Sequence, residues 1–89
     1  MTLDFIEYVV LGSIEEIVEK SGKSNSFSVS DNINELGIND IELIKVILEI
    51  EKKLGIELFD NNFDFRQLGS IRNLVEYIDQ YMKKNIADS

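Results

Sequence analysis

Apolar residues near the start of the chain recur at steps of three and four positions. This spacing places them on one stripe of an α-helix that spans residues 2–20. Thr2 is the predicted N-cap, and Ser21 with Gly22 marks the predicted end. The residues of the stripe are Leu3, Ile6, Val10, Ile14 and Ile17.

Two further stretches show the same helical periodicity. Residues 40–54 predict a second helix that ends at Gly55, and Ser70 is the predicted N-cap of a last helix. Between them, residues 63–68 predict one short helix, closed by Gly69. The apolar stripe of the last helix comprises Ile71, Leu74, Val75, Ile78 and Met82.

Residues 21–39 form the longest segment without a helical pattern, and they are rich in Ser and Asn up to Ser30. A loop of this length in a compact domain usually has a functional or topological reason. We expect it to carry the chain between two helices that are not simple hairpin neighbours. The apolar residues expected to pin it to the core are Phe27, Val29, Ile33 and Leu36.

These elements predict the fold class and the domain boundaries. Three main helices, one short helix and no alternating strand pattern predict an all-α, four-helix bundle with a long first loop. A chain of 89 residues, 44% of them hydrophobic, allows one domain with a modest core. We place that domain at residues 1–85 and expect residues 86–89 to be a frayed tail.

The helix predicted over residues 40–54 is apolar on two faces. At about 100° per residue, one apolar set falls within a third of the helical wheel and is sufficient to face the core. That set is Leu43, Val46, Ile47, Ile50 and Leu54. A second stripe, centred about 140° away, consists of Ile41, Ile44 and Leu48.

A bundle this small is not expected to bury both faces, so we predict that the second stripe is exposed. Exposed apolar stripes with charged edges are typical of protein-docking surfaces. The charged residues that we expect to select the partner are Lys45, Glu49 and Lys52. Two alternatives remain open: the long loop folds over the stripe, or two copies pair through it.

Charge and composition exclude several functions. The 17 acidic residues against 9 basic ones give a net charge of −8, without the basic stripe that nucleic-acid binding requires. An acidic surface suits a basic protein partner, or it simply keeps a small protein in solution. Residues 1–20 contain too many acids for a secretory signal or a membrane span. We therefore expect a cytoplasmic protein with no membrane contact.

The chain contains no Cys and no His. Thiol nucleophiles, thiolate metal sites and the usual general base near neutral pH are therefore absent, and no EF-hand-like spacing is visible. We expect no catalytic residue and no metal site. An enzyme that uses the carboxylates of Asp40 and Glu42 is disfavoured, because helix positions i and i+2 point about 200° apart.

Residues 28–58 (SVSDNINELGINDIELIKVILEIEKKLGIEL) resemble the centre of the acyl and peptidyl carrier protein family. In that family a loop ending in Leu-Gly is followed by an Asp-Ser-Leu motif and a helix that ends in an acidic cluster and a polar turn. Leu36 and Gly37 match the Leu-Gly, and the Asp-Ser-Leu motif aligns on Asn39, Asp40 and Ile41. Because the flanking helices also agree, the resemblance covers about residues 3–82.

The resemblance implies a specific chemistry at position 40. The family attaches a phosphopantetheine arm through its serine hydroxyl, which must attack a phosphoanhydride and form a stable phosphodiester. Asp40 offers a carboxylate, whose product would be a readily hydrolysed acyl phosphate, and its charge would repel coenzyme A. No Ser or Thr lies between Asn39 and Gly69. We therefore expect no phosphopantetheine on this chain.

Two interpretations of Asp40 remain open. In the first, Asp40 is the N-cap of the second helix, since Asp is a good cap and its charge suits the helix dipole. In the second, Asp40 mimics the phosphate of a loaded carrier. The resemblance also implies that the second helix faces partner enzymes. In the family this helix is rich in acids that meet basic enzyme surfaces, whereas Lys45 and Lys52 occupy positions that are commonly acidic.

The sequence thus predicts a monomeric protein of carrier-protein type that binds other proteins and carries no phosphopantetheine arm. The resemblance implies partners among carrier-binding synthases and transferases of fatty-acid, polyketide or peptide-synthetase-type metabolism. The alternative is a conventional phosphopantetheine-dependent acyl or peptidyl carrier whose attachment serine has been substituted by Asp40.

Overall fold

The computed structural model describes residues 2–20, 22, 27–58 and 63–87, with residues 85–87 described by their backbone alone. Three α-helices are present: α1 (Leu3–Lys20), α2 (Asp40–Leu54) and α3 (Ile71–Ala87). A first 3-10 helix (Ile33–Glu35) precedes α2, and a second one (Phe65–Leu68) precedes α3. The predicted all-α fold with three main helices and one short helix is confirmed. The first 3-10 helix was not predicted.

The ends of the helices carry the expected capping groups. The Thr2 hydroxyl accepts a hydrogen bond from the Phe5 amide at 3.3 Å, and the Ser70 hydroxyl accepts one from the Asn73 amide at 3.2 Å. Gly55 ends α2 in the left-handed conformation that glycine adopts without strain. Helix α3 continues to Ala87, past the boundary expected after residue 85, while residues 88 and 89 lie outside the described part, as does Ser21.

The core is formed by the apolar faces of the three helices and by side chains from the segments between them. The predicted core face of α2 is buried in full, and so are the α3 stripe up to Ile78 and the α1 stripe from Ile6 onward. Leu3 is an exception. It lies in the first turn of α1, at the rim of an open hollow that Val29 and Val75 also line, and is about half exposed.

The long first loop is attached to the core and to the start of α3. As predicted, Ile33 and Leu36 are buried, and Phe27 and Val29 pack partly buried against the core. Three backbone hydrogen bonds of 2.6–2.9 Å join the loop to the segment that enters α3. These bonds run from Ile33 to the Gly69 carbonyl, from Ile71 to the Asp31 carbonyl and from Arg72 to the Val29 carbonyl.

Side-chain contacts show that the main helices run in the same general direction. Lys53 in the last turn of α2 forms an ion pair with Glu16 in the C-terminal half of α1. The Tyr81 hydroxyl, late in α3, donates to the carbonyl of Glu57, just after α2. A loop between parallel helices must return along the length of α1, which is about 27 Å for 18 residues. This return explains why the first loop is long.

Candidate partner-docking site on helix α2

Helix α2 begins with a capping box at Asn39. The Asn39 side chain accepts a hydrogen bond from the Glu42 amide at 2.8 Å, and the Glu42 carboxylate accepts one from the Asn39 amide at 3.0 Å. The interpretation of Asp40 as the N-cap is therefore wrong. Asn and Asp cap equally well, but only Asn39 has a glutamate three residues later to complete the box. That spacing was readable in the sequence.

Asp40 is the first residue inside the helix, and its side chain is 87% exposed. Its carboxylate still lies at the positive end of the helix dipole, as expected for an acid in the first turn. One carboxylate oxygen, Oδ1, accepts a hydrogen bond from Nε of Arg66 at 2.8 Å. Asp40 is therefore one partner of an ion pair that links α2 to the second 3-10 helix.

The side chain of Arg66 makes three hydrogen bonds, two at the start of α2 and one to the first 3-10 helix. Besides its bond to Asp40, Nη2 donates to the Ile38 carbonyl at 2.9 Å, and Nη1 donates to Oδ1 of Asn34 at 3.4 Å. The side chain is only 25% exposed. Sequence reasoning missed Arg66, since no local spacing relates it to Asp40, 26 residues earlier.

The local structure around Arg66 explains why its guanidinium is held there. Asp64 caps the second 3-10 helix by accepting from the Arg66 amide at 3.0 Å. The neighbouring Phe65 is buried and makes edge-to-face contacts with the rings of Phe63 and Tyr77. Because Phe65 anchors this segment in the core, the next side chain is directed towards α2.

The second apolar stripe of α2 is exposed, in contrast to the core face. Ile41 is 66% exposed, Ile44 39% and Leu48 48%, whereas the five residues of the core face are buried. The described part of the first loop, residues 27–39, therefore leaves this stripe accessible. The predicted division of α2 into a buried and an exposed apolar face is confirmed.

The charged residues beside the stripe differ in how they are engaged. Lys45 and Lys52 are exposed, Glu49 is half-buried, and within the described residues none of the three forms an ion pair. On the opposite edge, Glu51 accepts a hydrogen bond from the Leu58 amide, and Asp40 is paired with Arg66. The three residues predicted to select a partner thus remain available to one.

Metal sites and membrane-spanning helices are absent from the described residues. No group of three or more acidic side chains is arranged to hold a metal ion there, and no described helix is long and apolar enough to cross a membrane. Asp40 and Glu42, the carboxylates considered for catalysis, contact different groups, Arg66 and the Asn39 amide. They do not converge on a common point.

Comparison with known proteins identifies the family of the chain. Residues 9–78 match the family model described as "phosphopantetheine attachment site". No solved structure matches the chain significantly. The family match extends from the first half of α1 into α3, over most of the chain, and includes both the Asn39 capping box and the Asp40–Arg66 pair. The chain therefore belongs to the phosphopantetheine-attachment family of acyl and peptidyl carrier domains.

Proposed function

We propose that this protein is a carrier-type domain that acts by binding other proteins and does not carry a phosphopantetheine arm. The observation that supports this is the side chain at the first position of α2. Asp40, which aligns with the family's serine, presents a carboxylate bound to Arg66. A carboxylate cannot form the stable phosphodiester that attachment requires, so the residue present does not fit the prosthetic group.

The surroundings of Asp40 give no replacement for the missing hydroxyl. No Ser or Thr occurs between Asn39 and Gly69. In the described part of the first loop, the hydroxyls of Ser28 and Ser30 are hydrogen-bonded to each other at 2.8 Å. The guanidinium of Arg66 donates to one oxygen of the Asp40 carboxylate.

The exposed stripe of α2 supplies the surface for the proposed interaction. Ile41, Ile44 and Leu48 form its apolar centre, and burial of such a cluster, with water excluded by its rim, is what stabilises protein interfaces. Lys45, Glu49 and Lys52 set partner choice, since rim charges contribute more to selectivity than to affinity.

Carrier domains of this family generally interact with synthase and transferase enzymes. We place the partners of this chain among such enzymes of fatty-acid, polyketide or peptide-synthetase-type metabolism in the cytoplasm. We also propose that the protein is a monomer when it docks.

Incubation with a broad-specificity phosphopantetheinyl transferase and coenzyme A tests the loss of carrying. The intact mass of the protein is expected to stay unchanged, while a conventional carrier in the same reaction gains the mass of the arm. A mass increase mapped to any residue of this chain would overturn the proposal and favour a conventional carrier.

The Asp40→Ser variant tests whether position 40 is the vacated attachment site. The variant is expected to load, because it restores the hydroxyl at the start of α2. If Lys45 and Lys52 repel the transferase, loading should appear in Asp40→Ser only when both are also changed to Glu. Failure of both variants to load, with folding intact by circular dichroism, would contradict the assignment of position 40.

A further inference from the structure

The two edges of the exposed stripe carry opposite charges, and they differ in whether their side chains already have partners within the chain. On the helical wheel Asp40 and Glu51 border one side, and Lys45 and Lys52 border the other. Asp40 is paired with Arg66, and Glu51 accepts from the Leu58 amide. The acidic edge is thus already engaged within the chain, whereas the basic edge is not.

The basic edge has a regular geometry. Lys45 and Lys52 are one heptad apart, about 10.5 Å along the helix, and both lie next to Ile41 on the wheel. Glu49 lies further round the helix and is less exposed than either lysine. An incoming partner on the stripe therefore meets two lysine side chains that form no ion pair in the described part of the chain.

This edge opposes the charge of the whole molecule, which is −8. Much of the negative charge lies on α1, which contains five acids and one lysine. In α2 four acids stand against three lysines, and Arg66 neutralises one of those acids. A basic partner would be attracted more strongly to the outer face of α1 than to the stripe.

We propose that the stripe binds an amphipathic helix whose apolar ridge is bordered by acidic residues, with two carboxylates one heptad apart opposite Lys45 and Lys52. The three-four spacing of Ile41, Ile44 and Leu48 fits the ridge of such a helix. This inference rests on the proposed docking function and adds the chemistry of the partner. A partner whose apolar ridge is bordered by basic residues is expected to bind the stripe more weakly.

Two designed helical peptides provide the test. They share one apolar ridge at heptad spacing and differ only in carrying Glu or Lys at the bordering positions. Because the protein is acidic overall, binding is read at the stripe itself, from chemical-shift changes of the α2 amides and methyl groups in NMR titrations. The Glu peptide is expected to bind the stripe about tenfold more tightly, with a preference that shrinks as salt screens the charges.

Charge reversal supplies the matched comparison. Changing Lys45 and Lys52 to Glu should reverse the peptide preference. Changing Lys20 and Lys84 to Glu alters the net charge equally but away from the stripe, and should leave the preference intact. A basic peptide that binds the stripe as tightly as the acidic one, or no binding of either peptide there, would overturn the inference.

Ile44→Glu separates this inference from the proposed docking function. If the stripe is the docking surface, the variant loses whichever peptide binds there. Peptide binding that Ile44→Glu does not affect would refute the docking surface itself, whereas an Ile44-dependent preference for the basic peptide would refute only the acidic partner. Concentration-dependent shifts of the stripe without peptide would show that a second copy occupies it, which also overturns the inference.

Discussion

Two adjacent polar residues at the start of α2 have different roles. The Asn39 side chain accepts from the Glu42 amide in the first turn, so Asp40 is not needed as a cap and its side chain projects outward to Arg66. This separation matters for the proposed function, because the residue at position 40, which we propose to be the vacated attachment position, can change without removing the cap.

Substitutions at these two positions should therefore differ in cost. Asn39→Ala is expected to lower the free energy of unfolding by about 1–2 kcal/mol, because it removes one half of the capping box. Asp40→Ala should cost less than about 1 kcal/mol, since its pair with Arg66 is exposed on the Asp side, and Asp40→Ser a similar amount or less. Urea denaturation of the three variants measures the order. A larger loss for Asp40→Ala than for Asn39→Ala would show that the ion pair is the more important contact.

Helix α2 serves the core and the surface through two different apolar faces. Ile50 is fully buried in the first, and Ile44 lies in the middle of the second. On the helical wheel, a narrow band with Asp40 and Glu51 separates the two faces on one side, and a wider polar band separates them on the other. The packing of α2 against α1 covers the first face and leaves the second exposed.

Charge substitutions on the two faces are expected to have opposite consequences. Ile44→Glu should leave helical content and the unfolding midpoint nearly unchanged, because a glutamate there keeps contact with water, while it abolishes docking. Ile50→Glu should unfold the domain, since it buries an unpaired charge. Circular dichroism and thermal melts compare the two. If Ile44→Glu unfolds the protein as severely as Ile50→Glu, the second stripe belongs to the core.

At the scale of the whole molecule, the structure combines parallel main helices with an uneven distribution of charge. The first loop returns the chain to the start of α2 and binds the start of α3 through its backbone. Acidic residues gather on the outer face of α1, where Glu15 and Glu19 lie one turn apart. Like charges at this spacing repel each other, and a net charge of −8 adds repulsion across the molecule.

Salt should therefore stabilise the fold. Raising NaCl from about 10 mM to about 150 mM is expected to increase the free energy of unfolding by about 0.5 kcal/mol, or about 2–4 °C in melting temperature, by screening this repulsion. A variant with Glu15→Gln and Glu19→Gln should respond less, because it carries less repulsion to screen. Destabilisation by salt would instead mean that ion pairs such as Lys53–Glu16 outweigh the net charge.

Features with a local cause were accessible from the sequence. Helical periodicity placed the three main helices, the core face of α2 and its exposed stripe, because a side chain's direction on a helix depends only on its position in the repeat. The roles of Gly55 at the end of α2 and of Ser70 at the start of α3 were equally clear from the sequence. The range of α2 was predicted correctly, but its N-cap was misassigned by one residue although the Glu42 spacing pointed to Asn39. Leu3 lies on the α1 stripe and is nevertheless half exposed, because periodicity does not reveal where the end of a helix loses contact with its neighbours.

The sequence by itself determined the helices, their apolar faces and the carboxylate at the first position of α2, since each depends on residues within a few positions of one another. Only the tertiary structure decided what that carboxylate contacts. Arg66 reaches Asp40 because buried Phe65 anchors the second 3-10 helix beside α2, and this contact joins residues 26 positions apart. On the other edge of the stripe, Lys45 and Lys52 form no ion pair in the described residues, because pairing depends on which segments are brought together.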